Sequence, residues 1–392
     1  MKNFTYHNPV RILFGRGTIP KIAEWIPPEK RVLVIYGGGS IKKNGVYDQV
    51  ASALDGRGWS AFGGIEPNPL YETCMEAVET GRREKAEFLL AVGGGSVWDA
   101  VKFIAAAIPF DAGDPWTIVS EHAPVREAIP FGGVLTLAAT GSEMNSGSVI
   151  SRRSTGEKIP WGSPLVFPRF SILDPETTFS LPERQTANGI VDAYVHVLEQ
   201  YLTYDVNAPL QGRQAEAILH TLIEEAPKVR ANPRDYDARA NLMWAATQAL
   251  NGLIGVGVAS DWATHLIGHE LTALHGLDHG RSLAVVMPAM LRLRKEAKRG
   301  KLLLYARRVW GIDGDDEDRA VNEAIERTEH FFRDVGCPTR LADYGIDPEG
   351  WAPIPARVEA RWGRIGEHRD IGREEVEEIL RLASGTAARG KA

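Results

Sequence analysis

The chain has 392 residues, 44% of them hydrophobic and 24% charged, with a net charge of −6. That is enough for two soluble domains, and the negative balance argues against nucleic acid or an anionic membrane as the main partner. Cys74 and Cys337 alone make neither a disulfide framework nor a four-thiolate metal site. The polar start MKNFTYHNPVRILFG lacks a signal-peptide core, and no run of about 18 apolar residues offers a membrane span, so a cytoplasmic protein is expected.

Short apolar runs alternate with helical stretches in the first half. RVLVIY (31–36) ends in Gly37-Gly38-Gly39-Ser40, FLLAV (88–92) in Gly93-Gly94-Gly95-Ser96, and GVLTL (133–137) in AATGSE (138–143). Runs of this kind predict strands buried on both faces of a parallel sheet, and VWDAVKFIAAAI (97–108) predicts a helix between two of them. The prolines of LDPETTFSLPERQ (173–185) mark a boundary. Beyond it, helical patterns cover 184–203, 209–227, 235–252, 258–274, 283–309 and 317–335, and the tail 383–392 is expected to fray. The expected organisation is an α/β domain over 1–180, with ligand loops at the C-terminal ends of its parallel strands, and an all-helical domain over 181–392.

A strand that ends in glycines and runs into a helix presents backbone N–H groups, and the helix dipole, to a phosphate. Any one such loop is more often a plain tight turn. Two GGGS loops and Thr140-Gly141-Ser142 together favour a nucleotide cofactor, although the spacing is not GxGxxG. Asp99 reads either as a first-turn carboxylate favoured by the dipole or as a ribose- or nicotinamide-side group.

Asp192 and His196 are four apart in ANGIVDAYVHVLEQYL, so they share one helix face. That face lies opposite the apolar stripe Ala187, Val191, Tyr194, Leu198 and Tyr201, which turns the pair toward solvent or a polar cleft. Taken alone, the pair reads as a surface contact. The stretch HLIGHELTALHGLDHG shifts that balance, with four histidines from His265 to His279. Fourteen residues of unbroken helix would separate His265 and His279 by about 21 Å. Gly276 supplies a break, making a helix–turn clamp for a divalent ion, with His269 and His275 as further imidazoles.

These residues and their surroundings resemble the iron-containing (group III) alcohol dehydrogenases, most closely the NADPH-dependent aldehyde reductase and butanol dehydrogenase branch. The shared segments are GGGS (37–40), IEPNP (65–69), LAVGGGSVWDAVKFIAAA (90–107), LTLAATGSEMN (135–145), LDP (173–175), ANGIVDAYVHVLEQY (187–201), MWAATQALNGLIG (243–255) and DWATHLIGHELTALHGLDHG (261–280). The resemblance implies a dehydroquinate synthase-like architecture, with an α/β nucleotide-binding domain, an all-helical metal-binding domain and the active site in the cleft between them. It implies Asp192, His196, His265 and His279 as ligands of one zinc or iron(II), and His269 as the nicotinamide-side histidine. Gly94, Gly95, Ser96 and Asp99 match the pyrophosphate loop. Thr136, Thr140 and Asn145 fall in the next cofactor segment, and Lys158 matches a lysine near the nicotinamide. A homodimer acting on small aldehydes and alcohols such as butanal follows from the same resemblance.

NAD-preferring members carry an aspartate in the first glycine loop, whereas Gly37, Gly38, Gly39 and Ser40 include no acid. An aspartate about 4 Å from a 2′-phosphate would cost on the order of 8 kcal/mol before screening. Its absence, with Ser40 as a donor, predicts NADPH over NADH. The expected reaction is reversible hydride transfer between NADP(H) and a primary alcohol or aldehyde, with the metal as Lewis acid and His269 with the cofactor ribose as proton relay. A dehydroquinate synthase-like lyase is the rival enzyme, but 187–203 and 258–280 contain no Lys or Arg for its phosphonate, and only Arg281 lies just beyond. A non-catalytic nucleotide and metal sensor is the other alternative. Trp98, Trp116 and Trp262 read either as core or as an apolar substrate pocket, with core preferred for most.

Overall fold

The computed structural model describes residues 1–385; residues 386–392, most of the tail expected to fray, lie outside the described residues. The packing separates two compact units, one of residues 7–182 with 232–251, the other of 1–6, 183–231 and the chain from 252 onward. This division is discontinuous in sequence, unlike a single cut after residue 180.

The first unit is built on β1 (Arg11–Phe14), β2 (Val32–Tyr36), β3 (Trp59–Gly63), β4 (Phe88–Gly93), β5 (Phe131–Leu135), β6 (Gly147–Arg152), β7 (Glu157–Gly162) and β8 (Phe170–Leu173). Six of them form a wholly parallel sheet in the order β1-β8-β5-β4-β2-β3, and β6 and β7 form a separate antiparallel hairpin. The sheet is covered by helices α1 (Ile22–Trp25), α2 (Val46–Ala53), α3 (Tyr71–Arg83), α4 (Gly95–Ala107) and α5 (Trp116–Ser120). Its central strands are buried on both faces, as their unbroken apolar runs require. Val32, Val34, Leu90, Val92 and Val134 share one core with Ile22 and Val50. Each such side chain contributes about 1.5–3 kcal/mol by leaving water.

The expected strand at 133–137 begins two residues earlier. β5 pairs with β4 from Phe131 opposite Leu89 to Leu135 opposite Gly93, and β4 ends there, so residues beyond Leu135 have no ladder to join. β1, β3 and β8 and the β6–β7 hairpin were not evident in the sequence pattern. β1 and β3 are edge strands with exposed positions, so they lack a continuous apolar run.

The second unit holds α6 (Glu183–Tyr201) and α7 (Pro209–Ala231); α8 (Tyr236–Ala249) belongs to the sheet unit. The helical unit resumes with α9 (Ala263–His275), α10 (His279–Arg294), α11 (Arg299–Arg308), α12 (Glu317–Asp334), α13 (Pro348–Trp351), α14 (Ile354–Trp362) and α15 (Arg373–Ala383). Its core includes Ile267, Leu271, Val285, Val286, Ile354, Ile379 and Leu380. The helix expected over 283–309 is two helices. Between them, the buried Lys298 ammonium donates to the Leu202 carbonyl (2.7 Å), Asp261 (2.8 Å) and Glu367 (2.9 Å). The helix expected from 258 starts at Ala263, whose N–H is capped by the Asp261 carboxylate at 3.0 Å.

α8 packs against the short turns at 175–178 and 142–144 of the sheet unit, and Trp244 meets Phe14 edge-on. Those contacts are why its residues group with the sheet rather than with the helices that flank them in sequence.

Candidate active site

Three helices of the second unit bring the expected metal residues together. α6 carries Asp192 and His196, α9 carries His265 and His269, and α10 begins with His279. The chain reverses between α9 and α10 at Gly276, left-handed with φ 65°. A Cβ on Gly280 would sit 2.3 Å from the Asn188 carbonyl oxygen. Only glycine therefore lets the first turn of α10 lie against the α6 backbone, which carries His279 up to Asp192.

Asp192 Oδ1 is the hub. The Nε2 atoms of His196, His279 and His265 lie 3.5, 3.6 and 3.8 Å from it. Asp192, His265 and His279 each offer a ligand atom within 4.8 Å of the others, and His196 joins them through Asp192. Tetrahedral ligands at 2.0–2.2 Å from one ion stand about 3.3–3.6 Å apart. The observed spacings are close to that, so the residues fit a single cation of this size. Asp192 and His196 do not face solvent: they are 3% and 4% exposed, and α6 is buried on all sides from Ala187 to Tyr201.

Glu199, on the same helix, is a residue the sequence reasoning missed. Its carboxylate accepts hydrogen bonds from His265 Nδ1 and from the Thr264 N–H (2.7 Å). That contact holds the proton on Nδ1 and turns Nε2 toward Asp192, the usual way a carboxylate orients a metal-binding imidazole. Burial pulls His265 down, but Glu199 and Asp192 outweigh it and push its pKa up to about 9. Burial dominates at His196, which falls to about 4 and is neutral at physiological pH. The two rings stack at 4.6 Å, and Trp262 meets both edge-on. Glu199 lies seven residues from Asp192, two helical turns along the same face, and that spacing was the available signal.

His269 is buried, with its ring 5.3 Å from that of His279 and 6.4 Å from that of His265. His275 Nε2 bonds the Gly350 carbonyl at 3.0 Å, a structural contact. Trp98 is fully buried and donates to the Gly93 carbonyl (3.2 Å), and Trp116 is also core.

The expected cofactor residues all lie in the sheet unit, where β2, β4 and β5 end. Gly37–Ser40 follows β2, and two residues on, Lys42 Nζ stands 5.0 Å from both the Tyr36 and the Tyr47 ring centres. Gly94 caps α4 and Gly95 opens it. A Cβ on Gly95 would lie 2.5 Å from the Thr140 side chain, so the second and third loops touch. Thr136 donates its N–H to the Gly93 carbonyl (3.0 Å), and the Thr140 hydroxyl accepts from the Ser142 N–H (3.1 Å).

Other candidates are engaged within the protein. Asp99 accepts from the Ser142 hydroxyl (2.6 Å) and the Val149 N–H (2.9 Å). Asn145 accepts from Lys102 (2.9 Å) and Gly147 (3.0 Å) and donates to the carbonyls of Leu250 (3.1 Å) and Thr140 (3.4 Å). Lys158 donates to Asn68 Oδ1 (2.8 Å), and the Asn68 N–H donates to Ser96 Oγ (3.2 Å). Asn68, inside the IEPNP motif, thus links Lys158 to the α4 loop, a link that spacing alone did not reveal.

Comparison with known proteins places the whole chain in one family. The profile described as "Iron-containing alcohol dehydrogenase" matches residues 9–175, and that described as "Fe-containing alcohol dehydrogenase family, C-terminal" matches 186–384. The chain is 54% identical to the NADPH-dependent aldehyde reductase YqhD of Escherichia coli (strain K12), over 95% of this chain and 97% of that protein. It is 43% identical to the probable NADH-dependent butanol dehydrogenase 1 of Bacillus subtilis (strain 168), over 98% and 100%. The crystal structure of E. coli K-12 YqhD superposes with a TM-score of 0.96, covering 97% of this chain and 99% of that one at 52% identity. An imidazole cluster around one aspartate, glycine loops ending parallel strands, and profile matches across nearly the whole length lead to one conclusion: the chain belongs to the iron-containing alcohol dehydrogenase family of oxidoreductases.

Proposed function

We propose that this protein interconverts small aldehydes, such as butanal, and primary alcohols with NADP(H) and one divalent cation. The observation that carries the reading is the approach of three imidazoles to one buried oxygen of Asp192. A zinc or iron(II) ion held by Asp192, His196, His265 and His279 would supply Lewis-acid polarisation of the substrate oxygen, and the ligand set suits either metal. Bound NADPH would supply the hydride.

The protein's own groups do the rest. Asp192 brings the formal charge, and Glu199 keeps the imidazole of His265 in its orientation. His269 holds and passes the proton that the product oxygen needs. Gly94, Gly95 and Ser96, at the start of α4, receive the pyrophosphate. Thr136, Thr140 and Asn145 belong to the next cofactor segment, and Lys158 serves the nicotinamide end. Gly37–Ser40 receives the adenosine end, and its lack of an acid, with Lys42 nearby, supports NADPH. The named relatives divide on this point, the E. coli protein using NADPH and the B. subtilis protein NADH by their descriptions. The family resemblance supports a cytoplasmic homodimer. The lyase reading gains no support, since these relatives, matched over nearly the whole chain, are described as a reductase and a dehydrogenase.

The test is butanal-dependent oxidation of NADPH and of NADH, before and after chelation with metal add-back. NADPH-selective turnover that is lost on chelation and restored by zinc or iron(II) is expected. Equal turnover in metal-free protein would refute the metal role, and an NADH preference would refute the reading of the first loop.

A further inference from the structure

Lys102 is fully buried, on α4, in the sheet unit. Its ammonium donates to the Ser142 hydroxyl (2.7 Å), the Asn145 side-chain carbonyl (2.9 Å) and the Gly147 carbonyl (2.6 Å). All three of its protons are therefore directed at one segment, residues 142–147. One turn earlier on the helix, Asp99 takes the same segment from the other side. It accepts from Ser142 and Val149, and its backbone carbonyl accepts from the Ser148 hydroxyl (2.9 Å). Asn145 makes four bonds within this unit, two accepted and two donated.

We infer that Lys102 is a positioning residue for cofactor binding: it fixes the loop 140–147 against α4, so that Thr140 and the start of α4 meet the cofactor as one preorganised surface. The inference rests on the reading of Thr140 and Gly94–Ser96 as cofactor contacts. Lys102 acts through the loop and not on the cofactor, because all three of its protons are donated to residues 142–147. Asn145 and Asp99 bond the same segment, whatever each contributes to the cofactor directly.

Stability alone does not account for the arrangement. Burial lowers the Lys102 pKa to about 8, with Asp99 and Glu143 opposing that shift, and burial raises both carboxyls. A buried ion cluster is often replaced by apolar side chains without loss of stability, whereas it does specify geometry. Here that geometry includes the contact between Gly95 and Thr140, which leaves no room for a Cβ.

The test compares the full-length protein with Lys102→Met and with Ser142→Ala, which leaves both charges in place and removes only the bridging hydroxyl. Amide hydrogen exchange is measured without cofactor, NADPH binding by fluorescence titration, and KM and kcat with butanal. The expected result is lost protection over 140–149 and an NADPH Kd raised at least about tenfold. The butanal KM and the bound-metal content stay unchanged, and kcat at saturating NADPH is largely kept, a split that general destabilisation would not give. A folded variant with protection intact and NADPH affinity within about twofold of wild type would overturn the inference. Failure of the underlying cofactor reading looks different: the wild type itself would not bind NADPH, while the lost protection would still uphold the loop-fixing role.

Discussion

The two units present their functional groups in opposite ways. In the helical unit, side chains from three helices meet in a buried cluster around Asp192. In the sheet unit, the loops offer mainly backbone and hydroxyls, while the prominent polar side chains Asp99, Lys102 and Asn145 bond one another's surroundings. A metal needs specific lone pairs at fixed points, so the chemistry there is written in residue types. A phosphate needs close approach to N–H groups, so the chemistry there is written in chain geometry, which buried polar side chains secure.

Substitutions can break or sharpen this contrast. The largest effect is expected for Asp192→Asn, which removes the charge at the hub: metal and turnover fall together, by about 10³-fold or more in kcat. Elemental analysis alongside butanal assays checks it, and full activity without metal would break the comparison. His269→Ala is expected to keep its metal but slow turnover by about 10²-fold or more, separating proton handling from metal binding. Metal loss in that variant would instead make His269 part of the metal site.

Glu199→Gln should weaken metal binding about 10–100-fold, because an amide loses the charge and cannot accept from both His265 Nδ1 and the Thr264 N–H. Competition with a chelator measures this directly, and an unchanged affinity would reduce Glu199 to a packing residue. The smallest change is expected for Gly38→Asp, at a position with open space around its would-be Cβ. It should leave the metal untouched and lower the NADPH-over-NADH ratio of kcat/KM at least about tenfold. A ratio that does not move would place the 2′-phosphate elsewhere.

Much of the fold was legible because its signals were local. The strands at 32–36 and 88–93 are continuous apolar runs, and α6 and α12 lie within two residues of their expected ends. β1 and β3 escaped because edge strands carry mixed exposure, and the break between α10 and α11 escaped because the contacts of Lys298 are all remote in sequence. In the candidate site, Asp192 with His196, and the turn at Gly276, could be read from spacing. Glu199 could not be separated from the ordinary acids of a helix until α6 proved buried all round. Lys102 was invisible for the same reason: a lysine on a helix normally reaches solvent, and only the fold shows that this one does not.

The sheet unit takes back residues 232–251 after the chain has already entered the helical unit. Thr247, on α8, donates to the Glu143 carboxylate, and the Leu250 carbonyl accepts from Asn145. A fragment ending at residue 182 would therefore take from the Glu143 carboxylate its hydroxyl donor and from the Asn145 amide one of its two acceptors, each loss costing about 1–3 kcal/mol. During synthesis, the sheet unit is complete only once α6, α7 and α8 have emerged. The two halves are thus not modules that a single crossover could exchange, and a gene fusion or split reporter joined at residue 182 would inherit an unfinished loop at 140–147.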